Sequence, residues 1–467
     1  MKPQPKTKSS AKPGSLGVLI LAAGEGTRME SSLPKVLHSV GGRPMLFYGL
    51  RLANALKPAG IGVVIGHQAD HVQKEIEEMT KGWLNRPITY IRQKHPTGSG
   101  GAVLEAMPFL KKFQTAVVAC GDTPLLTFET VYGLVNAHRE QKGQVTLLTA
   151  RLATPKGYGR VVRSPLGEVL RIVEESEATP KEAAITEINS GTYCFEVAPL
   201  LDAVRGIAPQ GPKKEIYLTA ALELARQKGG RVNAHVCGNA EEALGVNTRV
   251  QLAHVERVLN RRCLDRLMLS GVTIVDPSHT YVDADVEIGQ DSIVLPGTIL
   301  KGKTQIGKAC HVGPFTYIED TTLGNNCEVR NSYVNGARIL EKTTIGPYSH
   351  IRPGTVAGPR ARIGNFSEIK ASRIGFGSKV PHLSYIGDAD IAEDVNVGAG
   401  TITCNFDGTE KHKTVIGAKA FIGSNVNLVA PVKIGRGAKI GAGSTITEDV
   451  PEGALAIARA RQENKTK

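Results

Sequence analysis

The sequence is poor in the features that mark several large protein classes. Aromatic residues make up 5% of its 467 positions, with a single tryptophan. No basic strip studded with aromatics appears, which argues against nucleic-acid binding. No stretch approaches the roughly 20 apolar residues of a membrane-spanning helix. The seven cysteines are odd in number and none has CxxC spacing, so neither a disulfide framework nor a zinc site is indicated. A reducing cytoplasm is the natural setting. Positive charge is in modest excess at a formal +13, and much of it sits in the tails, at Lys2, Lys6, Lys8 and Lys12 and at Arg459, Arg461, Lys465 and Lys467. The remainder suits small anionic substrates better than a polyanion.

What the second half has is a six-residue step. Val282, Ile288, Val294, Leu300, Ile306, Val312 and Ile318 recur in turn, and the register slips before Ile345, Ile351, Ala357, Ile363 and Ile369. It then runs unbroken from Ile416 through Ile422, Leu428, Ile434 and Ile440 to Ile446. Period six fits neither a 3.6-residue helix nor a hairpin sheet, and it suits flat-faced coils stacked on one another. The aliphatic residue is expected inside, with the small residue after it (Asp283, Gly289, Gly307, Gly313) making the turn. The prediction is a parallel β-helix. Two interruptions are expected to carry function. The hexads loosen between Ile374 and Ile391, around His382, and a polar spacer separates Thr403 from Ile416.

The first half alternates strands and helices. Lysines ahead of Leu16–Ala23 imitate an export leader, but the apolar run leads straight into a glycine loop, so a buried first strand is expected. That loop, Leu21–Met29, has Gly24 and Gly26 where bare amides can meet a phosphate, with Arg28 beside them and Lys35 downstream. It is neither a dinucleotide fingerprint nor a Walker loop, for want of a third glycine and of Gly-Lys-Ser/Thr. A second glycine loop spans Gln93–Gly101, and the apolar strand Thr115–Ala119 ends at Cys120-Gly121-Asp122. The alternation predicts a Rossmann-like, mostly parallel, doubly wound sheet with ligands at the carboxyl ends of its strands. Asp122 reads either as a helix cap or, if phosphates arrive, as a Mg²⁺ ligand.

LAAGEGTRM, LPKVL, the Gln93–Gly101 loop, Gly121-Asp122, GYGR, the Glu of IVEE, INSG and GVN resemble, in that order, sugar-1-phosphate nucleotidyltransferases. The later IRPGT, GNFSEIK, HLSYIGD, NVGAGTITCNFDG and GSNVNLVAP are similar to left-handed β-helix acyltransferases, which pack as trimers. Together they resemble the family of bifunctional UDP-N-acetylglucosamine pyrophosphorylase/glucosamine-1-phosphate N-acetyltransferases. The resemblance implies an α/β domain plus a left-handed β-helix, the co-substrates UTP and acetyl-CoA, Mg²⁺ and a homotrimer. It implies that Leu21, Ala22, Ala23 and Gly24 hold the nucleotide and that Arg28 and Lys35 grip phosphates, with Cys120 and Gly121 nearby. Gln93, Gly98 and Ser99 would read uracil, Gly159, Glu174 and Asn189 would hold the N-acetylglucosaminyl group, and Asp122 and Asn247 would bind Mg²⁺. In the second half it implies Arg352 and Lys370 on the phosphate of glucosamine 1-phosphate and Tyr385 and Asn396 on its sugar. His382 would be the base, with Ala399, Asn405, Phe406, Ser424, Ala442 and Arg459 along the acetyl-CoA path. The sequence departs from the family at Ser99 (usually Thr), Cys120 and Phe406 (usually Tyr), and Pro381 before His382 is unusual.

The expected organisation is a basic extension over 1–15, a uridylyltransferase domain over 16–247 and a linker helix over 248–271. An acetyltransferase β-helix over 272–455 and a tail over 456–467 complete it. The main alternative is a nucleotidyltransferase whose β-helix merely trimerises, and a non-enzymatic scaffold would leave both glycine loops and Asp122 without a role.

Overall fold

The computed structural model describes residues 14–209 and 215–465. Most of the expected basic extension and the last two residues of the tail lie outside the described residues. The chain forms two compact units, one ending at Val258 and the other beginning at Leu259. The boundary falls inside the Arg249–Leu269 helix, whose Val255 is buried while Leu264 and Leu267 join the core of the second unit.

In the first unit the strand Leu16–Ala22 is apolar throughout because both of its faces are covered. Val18 and Ile20 pack with Leu46, Leu50, Val72 and Ile76 on one face, and Leu19 packs with Val103, Phe109 and Leu110 on the other. The main path of the sheet runs Val232–Val236, Val145–Arg151, Glu187–Glu196, Thr115–Cys120, Leu16–Ala22, Gly60–Ile65, Ile88–Arg92. Its pairings are parallel except those of Glu187–Glu196, which runs antiparallel to both neighbours. A hairpin of Arg160–Arg163 and Val169–Val173 hangs from that reversed strand. Leu21 stands in register with Cys120, so the first glycine loop and Gly121-Asp122 leave the sheet side by side.

The second unit is a left-handed parallel β-helix whose strands form three parallel sheets of 11, 10 and 9 members. The inward aliphatic residues read from the sequence are buried, with Val294, Leu300, Val312, Ile318, Ile351, Ile369, Ile416 and Ile422 fully so. The apparent slip after Ile318 is continuous winding with shortened corners. Leu323, Val329, Val334 and Ile339 carry the stack across it, all buried. The expected loosening around His382 is corrected in the same way, because Val380 and Ile386 are buried on regular strands between Ile374 and Ile391.

The corners also correct the role given to the small residues. The turn is made by a left-handed residue three places after the inward aliphatic, as at Asp291, Ala309, Asn326 and Asn425. In five-residue steps it stands two places after, as at Asp320, Asn331, Ala371 and Asp388. Gly289 is glycine for a different reason: a Cβ there would lie 2.7 Å from the backbone carbonyl carbon of Gly307 on the next coil. A second period went unread. Two places before most inward aliphatics stands a small residue, such as Ser292, Thr298, Thr304, Thr343 or Ser378, buried at the corner. The Ser292 hydroxyl donates to Gly307 O at 2.9 Å and accepts from Cys310 N at 3.0 Å, so the corner carries little unpaired polarity.

Ile339 is 1% exposed, whereas Ile299 is 36% exposed. Ile339→Ala is expected to cost about 2–5 kcal/mol, as buried Ile-to-Ala changes do, and Ile299→Ala less than half of that. Denaturant unfolding followed by circular dichroism checks the difference.

Candidate active sites

In the first unit the glycine loop packs directly onto Lys35, since a Cβ on Gly26 would lie 2.5 Å from Lys35 Cβ. The Lys35 ammonium pairs with Asp122 Oδ2 and donates to Asn247 Oδ1 at 3.2 Å, and Arg28 donates to the same Asn247 oxygen at 3.0 Å. Asn247 is held in place from behind. Val246 N donates to Asp122 O at 2.9 Å, and Gln251 Oε1 accepts from Asn247 N at 2.7 Å. A carboxylate and an amide oxygen thus converge on one cation. Both are hard oxygen donors, and so few protein ligands suit Mg²⁺, which keeps waters and substrate phosphates in its shell. The helix-cap reading of Asp122 fails because the next helix, Phe128–Gln141, is capped by Thr127.

A cavity of about 360 Å³ opens here, lined among others by Leu21, Ala22, Ala23, Gly24, Lys35, Gln93, Gly98, Ser99, Cys120 and Asp122. The second glycine loop is already the first turn of the helix Gly98–Glu105. It is clamped from outside: Gly100 N donates to Ile216 O at 2.7 Å, and the Ser99 hydroxyl accepts from Leu218 N at 3.0 Å. Gln93 Nε2 donates to Gly98 O at 3.2 Å.

Gly159, Glu174 and Asn189 form a neighbouring group. Asn189 N donates to Gly159 O at 2.9 Å, and a Cβ on Gly159 would lie 3.5 Å from Glu174 Oε2. Thr219 Oγ1 donates to Glu174 Oε1 at 3.2 Å, and burial raises the Glu174 pKa against that bond. Asn189 Nδ2 donates to the Tyr193 hydroxyl at 2.7 Å. Cys120 links the two groups, with Sγ 3.7 Å from Gly191 O. Burial pushes its thiol up to about 12, so it is no nucleophile near neutrality.

In the second unit His382 and Asn365 are register partners on successive coils. His382 Nδ1 lies 2.6 Å from Asn365 Oδ1. An amide oxygen only accepts, so Nδ1 is the donor of this bond, and in the neutral ring Nε2 is the nitrogen with the lone pair; the residue is exposed. Corner bonds place further residues in the same column. Leu383 N donates to Asn365 O, Gly400 N to Leu383 O, Asn425 N to Ala399 O and Gly443 N to Ser424 O. Asn365, His382, Ala399, Ser424 and Ala442 therefore occupy one corner of successive coils, small beyond the imidazole, with the Arg459 side chain near Gly443.

Lys370 and Tyr385 lie on the strands Glu368–Lys370 and Tyr385–Gly387 of one sheet, and Arg352 follows its strand His350–Ile351. Asn396 belongs to the adjoining sheet, that of His382. Arg352 donates to Glu368 Oε1 at 2.8 Å, and Asn405 Nδ2 donates to Asp388 Oδ2. The polar spacer forms a loop closed by a bridge between Phe406 and Lys411. It brings Lys411 against Lys370, and that ammonium chiefly lowers the Lys411 pKa. Sequence reasoning missed Asn365, Thr219 and Lys411. The coil period held the signal for Asn365, which precedes His382 by one coil in register.

A family model for the MobA-like NTP transferase domain matches residues 18–184, and the bacterial transferase hexapeptide model matches residues 413–448. The chain is 48% identical to the bifunctional protein GlmU of Halalkalibacterium halodurans, covering 96% of this chain and 97% of that protein. Identity to the same-named protein of Caldanaerobacter subterraneus is 48%, covering 96% of each. For that of Heliobacterium modesticaldum it is 47%, again covering 96% of each. With similarity of that depth over both units, the chain belongs to the bifunctional GlmU family, enzymes of UDP-N-acetylglucosamine synthesis that join a uridylyltransferase to an acetyltransferase.

Proposed function

We propose that the second unit transfers an acetyl group from acetyl-CoA to the amine of glucosamine 1-phosphate, and that the first unit couples the product to UTP. The bond between His382 and Asn365 carries this reading, because it orients an exposed imidazole with Nε2 turned away from its partner. That nitrogen removes a proton from the substrate amine as the amine attacks the thioester carbonyl. The new C–N bond replaces the C–S bond, and coenzyme A leaves as the thiol. Imidazole is the side chain best suited to general-base work near neutrality. Arg352 and Lys370, joined by Lys411, take the sugar phosphate, while Tyr385 and Asn396 take the sugar. Ala399, Asn405, Phe406, Ser424, Ala442 and Arg459 form the coenzyme path, whose small column residues leave room for an extended chain.

In the first unit an oxygen of N-acetylglucosamine 1-phosphate attacks the α-phosphorus of UTP and pyrophosphate leaves. Positioning and charge supply the catalysis, so no side-chain nucleophile is needed. Leu21–Gly24, Gln93, Gly98, Ser99, Cys120 and Gly121 hold the nucleotide, and Gly159, Glu174 and Asn189 hold the acetylated sugar. Asp122 and Asn247 would hold Mg²⁺, which offsets phosphate charge when bound. Lys35 and Arg28, which lie beside Asp122 and Asn247, take the phosphates. A homotrimer is part of the proposal, supported by exposed apolar side chains on one corner of the prism, Phe315, Tyr348, Phe366 and Leu383. A cytoplasmic setting is supported by seven free cysteines.

His382→Ala is expected to lower acetyl transfer about 10²–10⁴-fold and to leave uridylyl transfer unchanged, read with separate assays for free coenzyme A and pyrophosphate. Unchanged acetyl transfer would leave the β-helix as a scaffold. Lys35→Ala is expected to do the converse, lowering pyrophosphate release about 10²–10³-fold with acetyl transfer intact. Light scattering is expected to give three times the 49.7 kDa chain mass; a monomer at assay concentration would refute the trimer.

A further inference from the structure

Among the described residues the strand Val232–Val236 ends the sheet of the first unit and pairs only with Val145–Arg151. Gln144 N donates to Arg231 O, and Cys237 N donates to Thr149 O, so the odd-numbered residues bond inward. The two-residue period of a strand then turns the N–H groups of Val232 and Ala234 to the open side. Both residues line a cavity of about 420 Å³ between that edge, the Arg160–Val173 hairpin and the end of the Ala220–Gln227 helix. Three arginines share it: Arg163, Arg226 and Arg231.

Their charges are not equally spent. Arg163 is neutralised by a two-pronged pair with Glu187, at 2.7 and 2.6 Å. Arg231 gives one hydrogen bond to a neutral acceptor, Gln141 O at 3.0 Å, and a guanidinium has five N–H groups to give. Neither Arg231 nor Arg226 has a carboxylate within ion-pair distance among the described residues. Glu168 lines the same cavity without neutralising either of them. Donors therefore exceed acceptors, and the excess is concave, cationic and bounded by backbone N–H groups, which is how proteins bind oxyanions. No residue of this cavity lines the nucleotide cavity.

We propose that this edge cavity binds a small oxyanion of phosphate or carboxylate chemistry, as a site separate from both catalytic centres. Arg226 and Arg231 are its principal ligands, with the Val232 and Ala234 amides behind them.

The test uses the full chain with UDP-N-acetylglucosamine and coenzyme A present at saturation, so that the catalytic sites are filled. Inorganic phosphate and citrate are titrated separately into the wild type and Arg226→Ala/Arg231→Ala, and Tm is read. Both residues are exposed, so the double variant is expected to fold, to keep its anion-free Tm and to keep both activities. The expected result is a saturable, millimolar rise in wild-type Tm with at least one anion that the variant lacks, and the more effective anion identifies the chemistry. Equal rises in the two proteins, or none with either anion, would overturn the site. If the variant is destabilised, crystals of the wild type soaked in selenate decide: an anomalous peak between Arg226 and Arg231 is expected, and its absence refutes the proposal.

Discussion

The hydrogen-bonded rise from one coil to the next is the constraint on which the second unit depends. Neighbouring strands of a sheet stand about 4.8 Å apart, so any residue type repeated once per coil recurs at nearly that spacing. Inside, this stacks Ile351, Ile369 and Ile386 into one column of the core. Outside, it stacks the rings of Tyr317 and Tyr333 with centroids 4.5 Å apart. At the corner it sets an amide oxygen 2.6 Å from an imidazole nitrogen. Core, surface and corner geometry are three readings of one spacing.

The first unit reaches comparable order by another route. Its functional loops leave parallel strands whose register is fixed at Leu21 and Cys120, and the sheet is pinned by apolar clusters on both faces. The loops are then tied to segments distant in sequence. Asn247 reaches Lys35 and Arg28, Ile216 closes on Gly100, and Thr219 orients Glu174. These ties cross long stretches of chain, whereas those of the β-helix span a single coil.

That difference explains what was legible in the sequence. The hexads, the glycine loops and the strands ending at Asp122 are local patterns, and they appear where the sequence puts them. The corners were harder to read, because the turn-forming position accepts Asp291, Ala309 or Phe315 alike and so leaves no compositional mark. Shortened steps at Asp320 and Asp388 disguised continuous winding as interruption. In the first unit the pairing of Asp122 with Lys35 and the reversed strand Glu187–Glu196 depend on tertiary closure. The family resemblance named Asn247 as a ligand, but nothing near that residue in the chain announces that its side chain meets Arg28.

The column through Asn365, His382, Ala399 and Ser424 makes position in the prism a matter of floor and edge. Adding or removing one whole storey below Asn365 would shift this column along the axis as a block, with every internal distance kept. Losing one residue at a corner is absorbed there, as in the five-residue steps at Asp320 and Asp388, and the strands above keep their register. Losing a whole face would instead rotate everything above it onto a different edge. The architecture therefore tolerates whole turns and single-residue trims at a corner, but not the loss of one face, a rule that designers can use to lengthen the prism.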